Sequence, residues 1–175
     1  MKALVTLWPG SAKYVLVPSA KILPSQLRRN KPRKTKRYTM TIRKGSCLCG
    51  QVKYSFYADK MDAVSCYCRD CQRVTGSPLT TVVAVSADTL NTEGLTRTFS
   101  NKSASNRDVT RHFCPNCGSQ LFTEAEMVPG VKFVKCSTLD EPSAAVTTAN
   151  FWLSSAARWA PIDKEIACFD ENPDG

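Results

Sequence analysis

From Gly45 onward, apolar residues recur in short alternating runs rather than at the three-to-four spacing of an amphipathic helix. Gln51–Tyr57 alternates with Val52, Tyr54 and Phe56 on one face. Leu79–Val85 is β-branched and almost free of charge, which suits a buried strand. Further strands are predicted over Thr96–Ser100, Asp108–Phe113, Gln120–Thr123, Val131–Cys136 and Ala149–Leu153. One short helix is expected to start near Arg69 and carry Cys71 in its first turn. No repeat of solenoid length is present, so the pattern predicts a single, mainly β domain.

The first forty residues read differently. Pro9, Pro18, Pro24 and Pro32 leave no room for a long helix, and Arg28–Arg37 is dense in charge with almost no apolar content. Residues 1–44 hold twelve of the 24 basic side chains and no acid, while the remaining twelve face fifteen acids. The basic character belongs to an arm, and the body is mildly acidic. Residues 1–41 are therefore read as a disordered basic extension, 42–162 as the folded domain and 163–175 as a C-terminal tail. The arm has three readings: an extension upstream of a usual start at Met40, a transit peptide, or a tail for an acidic polymer. It lacks the continuous apolar stretch of a secretory signal, and no run approaches a membrane span. A cytoplasmic protein is expected, or a mitochondrial one if residues 1–39 are a transit peptide.

Nine cysteines change the picture. A body of about 130 residues buries roughly two thirds of its unfolded surface and needs no covalent staples. An odd count without a secretory signal points to metal binding. Three clusters stand out: Cys47-Leu48-Cys49-Gly50, Cys66-Tyr67-Cys68-Arg69-Asp70-Cys71 and Cys114-Pro115-Asn116-Cys117-Gly118. A Cys-x-x-Cys turn aims two sulfurs at one ion about 2.3 Å from each, and the following glycine tolerates the bend. The simplest partition is four plus three, with Cys47, Cys49, Cys114 and Cys117 closing one zinc site. Cys66, Cys68 and Cys71 then form a local tripod on a second. Spacing alone leaves open the swapped pairing of Cys66 and Cys68 with Cys114 and Cys117. It also leaves open an eighth ligand, for which the lone His112 is the candidate. Cys136 and Cys168 have no partner at ligand spacing, and are expected as a buried strand thiol and a tail residue.

Gly45-Ser46-Cys47-Leu48-Cys49-Gly50-Gln51-Val52-Lys53-Tyr54 resembles the opening of the glutathione-dependent formaldehyde-activating enzyme family, which includes centromere protein V. The likeness continues through Cys66–Arg73, Thr75–Pro78, Arg111–Ser119, Ser137–Pro142 and Asn150–Trp152, covering roughly residues 42–160. The resemblance implies an Mss4-like zinc-binding β fold of short antiparallel strands with zinc knuckles. It places a structural zinc on Cys47, Cys49, Cys114 and Cys117 and a reactive zinc on Cys66, Cys68 and Cys71, favouring the unswapped partition. The chain departs from the family pattern at Tyr67 and Asn150, where histidine is common.

Two zinc ions per chain and a carbon–sulfur lyase or synthase are therefore expected, acting on an adduct of the S-(hydroxymethyl)glutathione type. Three thiolates and a dication leave about one negative charge and a soft fourth position suited to sulfur. The partners would be a glutathione-like thiol and a small aldehyde. Arg69, Arg73 and Arg111 are candidates for a substrate carboxylate, which a guanidinium matches with two parallel hydrogen bonds, and Ser77 for the pocket wall. The alternative is a non-catalytic zinc scaffold using its basic arm on an acidic polymer. Aromatic residues are absent from the dense basic run, so nucleic-acid binding would rest on charge rather than base stacking.

Overall fold

The computed structural model describes residues 40–173. The expectations for the basic arm fall on residues 1–39, outside the described residues. Among the described residues, no helix is long and apolar enough to cross a membrane.

The domain is mainly β. Strands β1 (Ile42–Ser46), β2 (Lys53–Tyr57) and β5 (Asn91–Glu93) form a small antiparallel sheet in the order β1-β2-β5. A larger sheet runs β11-β10-β3-β4-β9-β8-β7-β6. Its members are β3 (Met61–Cys66), β4 (Thr80–Ser86), β6 (Arg97–Lys102), β7 (Asp108–Phe113), β8 (Gln120–Ala125), β9 (Val131–Lys135), β10 (Ala145–Phe151) and β11 (Ala167–Cys168). Pairing is antiparallel from β3 to β6, whereas β10 runs parallel to both β3 and β11.

Period-two alternation gives the large sheet two unlike faces. Ala63, Val83, Val134 and Phe122 are neighbours in register on successive strands, and all are buried. They share a core with Tyr54 and Phe56 of the small sheet and with Val52 just before β2. One position along each strand, Val64, Val82 and Lys135 form the neighbouring row, and Cys66 opposes Thr80. Above this second face lies the helix α1 (Arg69–Thr75). Asp70 holds it through Arg111 of β7 (3.2 Å) and Asn101 of β6 (3.1 Å). Val74 holds its far end by accepting from Gln120 Nε2 at 3.2 Å. The helix is short because Gly76, in the left-handed region at φ 62°, ends it after seven residues.

Three strands lack the alternation of large apolar and polar residues that marks a strand in sequence. β1 contains Arg43, Lys44 and Gly45, and β5 is exposed throughout. β3 lies inside the large sheet and its burial does alternate, but beyond Met61 the buried positions are the small Ala63 and Ser65, where pattern reading looks for large apolar residues. Residues expected as a tail return to the sheet through β11, which pairs with Ala149 and Asn150.

Candidate metal centres

Seven cysteines gather into two groups. Cys47, Cys49, Cys114 and Cys117 offer sulfurs within 4.8 Å of one another, as do Cys66, Cys68 and Cys71.

The first group joins two hairpin knuckles. One follows β1, where Gly50 at φ 73° closes the turn by donating to the Cys47 carbonyl at 3.0 Å. The other links β7 to β8, where Gly118 at φ 74° donates to the Cys114 carbonyl at 2.9 Å. Neither conformation suits a side chain with a Cβ. Ser119 ties the knuckles together, its hydroxyl accepting from Leu48 N at 3.1 Å. Val52 N donates to the Cys47 sulfur at 3.2 Å. Hydrogen bonds with the Ser119 hydroxyl, then with its backbone, hold the Cys117 thiol down at about 5. The sulfurs of Cys47 and Cys49 stand 3.5 Å apart, and those of Cys49 and Cys114 3.7 Å. Four sulfurs about 2.3 Å from one ion in a tetrahedron would be separated by about 3.8 Å, so this donor set fits a thiophilic cation such as zinc.

The second group is local. Cys66 ends β3 and Cys71 lies in the first turn of α1. Cys68 is the residue that caps the helix, its sulfur accepting from Cys71 N at 3.4 Å. Tyr67 points away and is buried, its hydroxyl donating to Pro161 O at 2.6 Å. Gln72, also buried, donates from Nε2 to the Tyr67 carbonyl and to Ser155 O at 2.9 Å, fixing the turn from below. The thiols share protons unequally. Hydrogen bonds from Cys66, then Cys71, draw Cys68 down to about 2, while the contacts with Cys68, then Cys71, push Cys66 up. Three sulfurs this close, one of them already drawn to the thiolate form, fit the same class of cation, whose charge would draw off the remaining protons. Among the described residues no fourth Cys, His, Asp or Glu joins them.

His112 belongs to neither group. It is stacked on Phe122 with ring centroids 4.4 Å apart, and Nε2 lies 3.1 Å from Glu124. Burial pushes its pKa down, with Glu124 opposing. Cys136 is buried as expected but lies in the 3-10 turn that follows β9 rather than in the strand, its thiol raised to about 11 by burial. Cys168 lies exposed in β11.

A cavity of about 650 Å³ opens between the four-cysteine group and the end of α1, lined by residues that include Thr80, Ser119, Gln120, Lys135, Ser137 and Asp140. Arg69, Arg73, Ser77 and Arg111 do not line it. Arg69 pairs with Gln72 one turn along the helix. Arg73 and Ser77 are exposed near the helix end, and Arg111 is buried against Asp70 and Asn101. Sequence reading missed Lys135, which is only 5% exposed. Its signal was a lone cation between Val134 and Cys136 in an otherwise apolar strand end.

A family model described as glutathione-dependent formaldehyde-activating enzyme matches residues 42–155. Among solved structures, a crystal structure of a Rhodobacter sphaeroides protein is similar at 21% identity and a TM-score of 0.44. That alignment covers 55% of this chain and 87% of that one. No curated protein matches the chain.

Proposed function

From the premise that the chain belongs to the glutathione-dependent formaldehyde-activating enzyme family, we propose that it makes or breaks the carbon–sulfur bond between a glutathione-like thiol and a small aldehyde. Both cysteine groups would hold zinc, two ions per chain, with distinct duties. Cys47, Cys49, Cys114 and Cys117 would saturate one ion and leave it structural. Cys66, Cys68 and Cys71 would hold the other and leave a position for substrate sulfur.

The observation that carries this reading is the three-sulfur group at the start of α1, to which no fourth donor is added among the described residues. When bound there, zinc supplies a soft Lewis acid that favours the thiolate form of an incoming thiol near neutral pH. The chain's own residues fix the geometry. The Cys68 cap and the Gln72 hydrogen bonds orient the three sulfurs, and Asp70 clamps the helix that bears Cys71 to the sheet. In the synthetic direction sulfur bonds to the carbonyl carbon and the thiol proton ends on the aldehyde oxygen. No oxidation state changes, and no redox cofactor is required.

Exchange spectroscopy on glutathione and formaldehyde tests this directly. Zinc-loaded protein should speed their interconversion with S-(hydroxymethyl)glutathione above the uncatalysed rate, and Cys71→Ser should return it to background. An uncatalysed rate in protein shown to hold two zinc ions would overturn the reading.

A further inference from the structure

Lys135 stands in an unusual position for a lysine. β9 delivers Val134 into the core, and alternation sends Lys135 to the opposite face, beneath α1. Its ammonium donates to Thr80 Oγ1 at 3.2 Å. Among the described residues no carboxylate lies within ion-pair distance of it, and Asp70 is engaged by Arg111. An ammonium has three donors, and one is used. With no carboxylate hydrogen-bonded to it, the ammonium keeps two donors for an anionic group that enters the cavity. Thr80, which accepts from it, opposes Cys66 across β3 and β4, so Lys135 and Thr80 bring the cavity wall up to the strand end that carries the tripod.

A second feature of the same cavity is independent of charge. Gln120 Nε2 is committed to the Val74 carbonyl, which fixes the orientation of the amide, and its buried Oε1 has no partner. Buried acceptors in native proteins are normally satisfied. The wall therefore presents a cationic donor and an amide acceptor, with Ser119, Ser137 and Thr138 hydroxyls nearby. That combination suits a short peptide, which brings a carboxylate and amide N–H groups. The volume, about 650 Å³, lies within the range of small-molecule sites. At the open rim, exposed Asp140 offers an acceptor for a peptide's ammonium group.

Resting on the thiol-substrate reading above, we propose that Lys135 is the anchor for the substrate's carboxylate and that Gln120 accepts from its amide. Together they hold the body of a peptide thiol in this cavity while its sulfur reaches the tripod. Discrimination would then come from β9 and the knuckle after β7, rather than from the arginines of α1. A thiol lacking a carboxylate would be a poor ligand even if its sulfur were as reactive.

The test separates anchoring from sulfur chemistry by using S-methylglutathione, which keeps both carboxylates but has no thiol. The zinc-loaded full chain should bind it about tenfold or more tightly than its diethyl ester, as one charge-assisted hydrogen bond predicts. Lys135→Met should erase that preference, and Lys135→Arg should retain part of it. The ester comparison needs no variant, so it decides the matter even if Lys135→Met folds poorly. Equal binding of acid and ester by the wild-type chain, no binding of either, or a preference intact in a folded Lys135→Met protein would overturn the anchor. If the acid is preferred through Lys135 yet glutathione and formaldehyde are not interconverted, the anchor stands and the carbon–sulfur reading falls. If they are interconverted with no such preference, the reverse holds.

Discussion

Gly45 and Tyr54 show how closely single residues couple the core to the site. They face each other across β1 and β2, and a Cβ on Gly45 would run into the Tyr54 hydroxyl and the Thr138 carbonyl. That hydroxyl instead shares a hydrogen bond with Thr138 Oγ1 at 2.8 Å, and Thr138 donates to the Lys135 carbonyl at 2.9 Å. A phenol ring in the hydrophobic core thus reaches the backbone of the proposed anchor. Burial raises the Tyr54 pKa to about 12, against an ordinary value of 10. The sign follows from proton counting: between these values the folded state keeps a proton that the unfolded state releases. The contribution is fully present below pH 10 and is lost as pH rises through about 12. Tyr54→Phe should therefore cost about 1 kcal/mol near neutrality through the lost hydrogen bond. It should also flatten the decline of stability in urea melts between pH 9 and pH 12. Parallel declines for both proteins would show that Tyr54 does not titrate with unfolding.

At the scale of elements, β2 was legible from alternation and β4 from its β-branched, charge-free composition, because both put apolar residues into the core. β3 was hidden because, beyond Met61, small Ala63 and Ser65 occupy its buried face, and the short β11 is held by a long-range partner that no local pattern announces. The seven clustered cysteines were legible because metal ligands on one knuckle must be close in sequence. Lys135 and the cavity were not, since their walls come from the end of α1, the knuckle after β7 and the turn after β9. The segment after Pro161 illustrates what such reading loses. It receives the Tyr67 hydroxyl at Pro161, Asn150 Nδ2 at Asp163 (2.6 Å) and Trp152 Nε1 at Asn172 (2.9 Å). Tyr67 and Asn150 are the two departures from the family pattern, and both are buried against this segment. Ending the chain at Ala160 should remove these partners, uncover the buried Tyr67 and Asn150 side chains and destabilise the domain by about 2–4 kcal/mol in urea unfolding. A truncated protein as stable as the full chain would show that residues 163–175 contribute as little to the fold as a tail would.

For the molecule as a whole, the two cysteine groups differ in what they connect. Cys49 and Cys114 are 65 positions apart, so an ion in the four-sulfur group would close a long loop and tie the start of the domain to its far side. Such closure acts on the unfolded chain, and binding free energy becomes folding free energy. Cys66, Cys68 and Cys71 span one strand end and one helical turn, which the sheet and the Asp70 clamp already hold in place. An ion there would change reactivity far more than stability. Cys114→Ser should accordingly lower stability by about 3 kcal/mol or more, reduce zinc to below one ion per chain and broaden amide resonances throughout residues 42–155. Cys71→Ser should keep about one zinc ion, change the unfolding midpoint little and abolish exchange between glutathione and formaldehyde. Zinc titration with unfolding measured in parallel distinguishes the outcomes. Equal global destabilisation by the two variants would make the tripod a second folding site, and the separation between a structural and a reactive centre would not survive.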